Sequence, residues 1–225
     1  MRRLTNMTPI IGTIKMDANQ RKQLFDDITK HLLDDDKPSS YINALSEKDE
    51  FKKRPFSMLA QLKKTEQSEK YHPEGNVWNH TMLVVDEAAK VRHKSKEPAV
   101  FMWAALLHDI GKPPTTRVRK GRITSYDHDK EGEKLSIEFL KVLTEDEEFI
   151  TKVSVLVRYH MHMLYVLKNL PFADNEGLIR KVDAEELALL CRCDRLGRTG
   201  VDITEVEKEY ERFLEKLHNM KKIKV

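Results

Sequence analysis

The sequence predicts an all-α chain, a helical bundle carrying at most one small β-hairpin near residues 116–126. Three observations lead there. Only 8 glycines and 8 prolines among 225 residues, with 7% aromatics, disfavour a β-sandwich or barrel. Long stretches rich in Leu, Ala, Glu and Lys favour helix. From Trp78 onward, apolar residues recur at three-and-four spacing, as in the stripe Trp78, Met82, Val85, Ala89. A hydrophobic content of 40% suffices for a real core, and the pattern predicts an irregular lead-in over 1–17 followed by one helical domain over 18–225.

Taken in order, Asp17 or Asn19 can cap a first helix running to about Leu33, which Pro38-Ser39-Ser40 breaks. Helices over about Tyr41–Phe51 and Phe56–Lys64 follow, then a polar loop, Tyr71 to Asn76, punctuated by Pro73 and Gly75. The helix from Trp78 places His80 beside Leu83 and Val84. The next, about Pro98–Asp109, aligns Phe101, Ala104, Ala105 and His108, and stops at Gly111 and Pro113-Pro114. Thr116–Tyr126 is the persuasive strand region, with Lys120-Gly121 as its turn. Helices are then expected over about Lys130–Leu143, Glu145–Tyr159, Asp183–Leu196 and Thr204–Met220. His160 continues the stripe Val153, Leu156, Val157, and Asp194 continues Leu187, Leu190, Cys191. The closing Lys221-Lys222-Ile223-Lys224 reads as a solvated tail.

A net charge of +3, from 40 basic and 37 acidic residues, is too small to announce nucleic-acid binding by its field alone, so any basic site must be local. The longest apolar stretch, Val100–Leu107, is far short of a bilayer span, and the start lacks a signal peptide's apolar run. A soluble, cytoplasmic protein without membrane contact is expected, and no obligate protein partner is evident. Cys191 and Cys193, two apart on a helix, read as reduced small hydrophobes.

The informative feature is a scattered set of donors: His80, His108-Asp109, His128, His160 and Asp194. Polar groups on apolar helix faces are costly unless a cation or partner satisfies them. Imidazole gives a cation one lone pair and a carboxylate can bridge two, so the six make a dinuclear set with Asp109 as the bridge. Open positions on two ions about 3.5–4 Å apart suit phosphoester hydrolysis. Without a thiolate the set leaves one or two divalent ions (Fe, Mn, Ni, Co, Zn or Mg) open. Asp109 and Lys112 are the candidate catalytic residues; Lys112, Arg117, Arg119, Arg195 and Arg198 are the candidate substrate-binding cations, within or near a basic cluster that also holds Lys120 and Arg122. His162 competes with His160 but lies off its stripe; His31, His93 and His218 read as surface residues.

These residues resemble the HD superfamily of metal-dependent phosphohydrolases, with His80, the string His108-Asp109-Ile110-Gly111-Lys112, and Asp194 as the matching positions. Tyr71 to Thr81 and Ser125 to Asp129 are similar to the HD domain of bacterial tRNA nucleotidyltransferases, the CCA-adding enzymes. The similarity runs over roughly 24–200, with an HD core over about 72–200. The resemblance implies a first metal site of His80, His108, Asp109 and Asp194 and a second of Asp109, His128 and His160. It implies a phosphohydrolase or phosphodiesterase acting on nucleotides, 2′,3′-cyclic nucleotides or RNA ends through a metal-activated hydroxide. The residues before His72 are too few for a nucleotidyltransferase domain, so the hydrolytic part is expected to stand alone. His72 and Glu74 are expected to shape the site rather than ligate. The competing expectation is a noncatalytic RNA- or nucleotide-binding module with a structural metal.

Overall fold

Helix α5, Pro98–Leu107, occupies the middle of the structure, a computed structural model describing residues 17–223. Its residues from Val100 to Leu107 are all buried, as a helix that is apolar all round must be. This explains the chain's longest apolar run. Packed against α5 are α1 (Ala18–Asp34), α4 (Val77–Val91), α8 (Glu147–Tyr159) and α11 (Ala184–Leu196). An outer layer adds α7 (His128–Leu140) on α8 and α12 (Ile203–Ile223) on α11. Shorter helices complete it: α2 (Pro38–Ser46), α3 (Phe56–Ala60), α6 (Lys112–Thr115), α9 (His162–Leu167) and α10 (Asn175–Lys181).

Local chemistry sets most of the boundaries. Asp17 caps α1 in a reciprocal box with Gln20, as expected. Asp146, Asp174 and Asp183 cap α8, α10 and α11 through their side chains. Pro38, expected only to break a helix, sits at the first position of α2, where its missing N–H costs nothing. Buried tryptophans find polar partners: Trp103 Nε1 donates to Thr29 Oγ1 at 2.9 Å and Trp78 Nε1 to Asn43 Oδ1 at 2.9 Å.

The expected hairpin is present, with strands β1 (Arg117–Arg119) and β2 (Arg122–Thr124) antiparallel. Lys120 and Gly121 have φ of 49° and 72°, the paired positive values of a two-residue turn. Helices α9 and α10 were not anticipated; α10 carries Gly177 and neither is long enough to display a period. Helix α5 ends two residues earlier than expected, so His108 and Asp109 stand in the turn beyond it. The 1–16 part of the lead-in and Lys224 lie outside the described residues. No described helix is long and apolar enough to cross a membrane.

Candidate metal centre

The six expected donors lie at helix ends or turns that meet at the interior end of α5. His80 is in the first turn of α4, whose N-terminus Asn76 caps by accepting from Asn79 N. His108 and Asp109 follow α5, His128 opens α7, His160 ends α8, and Asp194 is near the end of α11. All six are buried.

Three of the imidazoles are aimed by one device. His108, His128 and His160 each donate from Nδ1 to the carbonyl three residues earlier, Ala105 O at 2.8 Å, Ser125 O at 2.7 Å and Val157 O at 2.6 Å. For His108 and His160 those carbonyls belong to the last turn of a helix, where no backbone donor remains for them. A carbonyl can only accept, so Nδ1 carries the proton and Nε2 presents its lone pair inward. Burial first, and then neighbouring positive charge, pushes the His160 pKa down to about 3. Burial likewise lowers that of His128, so both rings are neutral near pH 7. Their Nε2 atoms nevertheless stand 3.1 Å apart. Two lone pairs facing each other with no proton between them are what a shared cation satisfies.

Asp109 lies at the centre of this arrangement. Its Oδ1 is 3.5 Å from His128 Nε2 and 3.8 Å from His160 Nε2; its Oδ2 is 3.2 Å from His108 Nε2 and 3.9 Å from His80 Nε2. Two donor groups result, His80-His108-Asp109 and Asp109-His128-His160, sharing the carboxylate. His108 Nε2 is buried without a hydrogen-bond partner, as a nitrogen whose lone pair is left for a cation would be. Burial alone would raise the Asp109 pKa, but Lys112, His108 and His128 outweigh it and hold the group well below the usual carboxylate range. Lys112 Nζ stands 2.8 Å from Asp109 Oδ2 and donates to the buried Gln67 Oε1 at 2.6 Å.

Asp194 Oδ1 is 3.0 Å from His80 Nε2 and 3.3 Å from Arg198 Nη2. Against its burial, Arg198 and His80 keep this carboxyl well below its ordinary range. On the far side of His80, Nδ1 faces Glu74 Oε1 at 2.9 Å, and the same oxygen is 2.8 Å from His72 Nδ1. Burial depresses the His80 pKa, yet Asp194 and Glu74 outweigh it and raise it. Burial pushes Glu74 up, but the bonds it receives, from His80 above all, hold it at about 2. Loop 71–76 thus supplies a carboxylate behind His80, the outer partner a ligating histidine usually has. The sequence had Glu74 shaping the site, and the donor atoms of His72, Glu74 and His80 come within 4.8 Å of one another.

The remaining expected residues divide. Arg198 contacts Asp194, and Arg195 lines a small pocket with Arg198, His160 and Met163, although its Nε turns to Glu209 Oε2 at 3.5 Å. Arg117 and Arg119 touch none of the donors: Arg117 Nη1 bonds Thr116 O, and Arg119 lies over the Tyr126 ring. His162, the weaker competitor of His160, is fully buried and accepts from Asp174 N at 3.2 Å, outside the donor groups. Cys191 and Cys193 are free and buried, and burial pushes the Cys193 thiol up to about 12.

One glycine reveals how closely the centre is built. Gly111, expected as the helix stop, does follow the end of α5, but with an ordinary φ of −81°. A Cβ there would come 2.0 Å from His128 O and 2.5 Å from Gly132 N. The absent side chain lets the turn carrying Asp109 seat directly on the start of α7.

A helical bundle that gathers histidines and aspartates at its interior defines a class of proteins whose buried donors could hold a metal ion. The chain belongs to the HD domain family, whose profile matches residues 77–199, just over half of the 225 residues. Among curated proteins it is similar to the multifunctional CCA protein of Actinobacillus pleuropneumoniae serotype 5b, with 29% identity over 149 residues, 60% of this chain and 34% of that protein. The multifunctional CCA protein of Alkalilimnicola ehrlichii is 26% identical over 194 residues, 84% of this chain and 45% of the relative. That of Pseudomonas fluorescens is 31% identical over 146 residues, 60% of this chain and 33% of the relative. The chain therefore spans a third to somewhat under half of the length of these relatives.

Proposed function

We propose that the chain is a metal-dependent phosphohydrolase or phosphodiesterase that acts on nucleotides, 2′,3′-cyclic nucleotides or RNA ends. One observation carries this reading: two buried donor groups share Asp109, and in one of them two neutral imidazoles aim lone pairs at each other across 3.1 Å. A site of that composition, N and O donors without thiolate, fits one or two divalent ions. When bound, such ions supply Lewis acidity to a phosphoryl oxygen and a lowered pKa to a water.

The chain's own residues would do the rest. Lys112 and Arg198, each within 3.3 Å of a site carboxylate, place cationic charge where the non-bridging oxygens of a phosphoester would lie. Gln67 holds the Lys112 ammonium in place from behind. Glu74 places its carboxylate behind the His80 ring, 2.9 Å from Nδ1. Arg195, at the pocket beside Asp194, extends the cationic surface outward. The similarity to multifunctional CCA proteins supports a nucleotide or RNA-end substrate.

The test is elemental analysis of protein purified without chelator, joined to a phosphoester panel that includes 2′,3′-cyclic nucleotides, with Mn, Ni, Fe, Co, Mg and Zn supplied in turn. Hydrolysis is expected with at least one metal, and Asp109→Asn should abolish it while circular dichroism stays unchanged. Nucleotide or RNA affinity that is indifferent to metal removal, with no turnover under any metal, would establish the noncatalytic binding module instead.

A further inference from the structure

The hairpin is built against its own stability. Its register sets Arg119 directly opposite Arg122, and Arg117, two residues before Arg119, shares their face. Like charges directly opposed across two strands are destabilising, and this ladder has only three residue pairs with which to offset them. Among the described residues, none of Arg117, Arg119, Lys120 and Arg122 has a carboxylate within ion-pair distance, whereas Arg192 and Arg195 on α11 are each held by a glutamate. All four are exposed. Tyr126, 63% exposed just past β2, carries the Arg119 guanidinium 5.2 Å from its ring centroid.

Both arms of this hairpin are rooted in the metal centre. Thr116, at the entry to β1, donates its N–H to Lys112 O at 2.9 Å. At the exit, Ser125 Oγ pairs with Thr116 Oγ1 at 2.7 Å and Ser125 O accepts from His128 Nδ1 at 2.7 Å. A ligand lying along the hairpin would therefore lead to the centre's edge.

Three arginines on one face together with an exposed ring that already bears a guanidinium make a surface for phosphates plus a stacked base. That combination is how single-stranded nucleic acid is held without sequence preference. A folded duplex would hide the base faces that Tyr126 needs, and an acidic protein would leave the ring without a role. We propose that the β1–β2 hairpin, with Tyr126, binds single-stranded RNA next to the phosphoester presented to the centre. This rests on the proposed function for the choice of RNA and for where the strand leads; the arginines and the ring that would hold a single strand are independent of it.

Binding is tested on the full chain with a fluorescently labelled single-stranded RNA of about 12 nucleotides, by anisotropy across a salt series in the presence of chelator. Each phosphate contact contributes roughly 0.7 to the slope of log K against log salt, so Arg117→Ala/Arg119→Ala/Arg122→Ala should lower the slope by about 2. Tyr126→Ala should weaken binding by about tenfold or more without changing the slope. Arg122→Glu, which turns the opposed pair into an ion pair, should weaken binding while leaving the melting temperature unchanged or higher. A parent chain that binds the strand no better than a mononucleotide, or variants that bind as the parent does, would overturn the proposal, as would equal affinity for duplex and single strand. Hydrolysis of a phosphoester by the parent chain is a separate measurement, so failure of the catalytic reading and failure of this one are told apart.

Discussion

At the scale of the residue, the centre depends on rings aimed by their second nitrogen. Three histidines use a backbone carbonyl for this, which no side-chain substitution removes; His80 alone uses a side chain, Glu74. Its ring is therefore the one that mutation can unlatch without touching a donor. Glu74→Gln should weaken metal binding by about 10- to 100-fold, read by calorimetry with a single divalent ion, with little effect on the fold. If Glu74→Gln binds metal like the parent, Glu74 does not orient the ring. His80, His108, His160 and Asp194 could be read from the sequence because each lies on or beside an apolar stripe, where burial penalises it, whereas Asp109 came as the neighbour of His108 and His128 lies outside any such stripe. Lys112 could be found as well, since it closely follows Asp109. Gln67, which holds Lys112, could not be, because it lies in an irregular segment 45 residues away with no period to place it. The burial of His162 escaped the sequence for a similar reason: α9 spans only 6 residues.

At the scale of the element, most helices were legible from period and cap together. The apolar stripes located α4, α8 and α11, whose N-termini Asn76, Asp146 and Asp183 cap through their side chains. Asp183 illustrates what such a cap contributes. It accepts from Glu185 N at 3.0 Å and Glu186 N at 3.2 Å and pairs with Lys96. Burial works against its ionisation, but Lys96 and the helix N–H groups prevail and hold its pKa at about 2. Asp183→Ala should cost about 1 kcal/mol in urea unfolding at pH 7. Because the folded-state pKa is below the unfolded one, about 3.9, the carboxylate's contribution is full above that value. The gap between parent and variant should therefore close as pH falls through 4 toward 2. The turn after α5 offers a different lesson. Gly111 looked like a helix stop, but its role is close approach, which depends on what another element places opposite it. Gly111→Ala should force the His108-Asp109 turn away from α7, costing about 1–3 kcal/mol. The loss of metal should be disproportionate, checked by comparing denaturant midpoints and bound-metal content of the same preparation.

At the scale of the whole molecule, the bundle brings together donors from distant parts of the chain, His80 and Asp194 being 114 residues apart. Ions held by the two donor groups would tie α4 to the turn after α5, and that turn to α7 and α8, so that stability would be linked to metal concentration. Metal present at about 100 times its dissociation constant should add about 2.7 kcal/mol. For a domain of this size, that is a rise of roughly 5–11 °C in melting temperature, reversed by chelator. A metal that leaves the melting curve unmoved does not bind at this centre. The sequence by itself determined the helical class, the hairpin and its turn, and which residues burial would make expensive unless satisfied, because period, turn chemistry and polarity act over a few neighbours. Only the tertiary structure decided that the six donors meet, that Asp109 is shared and Glu74 stands behind His80, and that Arg119 faces Arg122 on an arm rooted beside the centre. Those are distances between elements, and they follow from how side-chain volumes fill a common core, a property that no single segment of the chain carries.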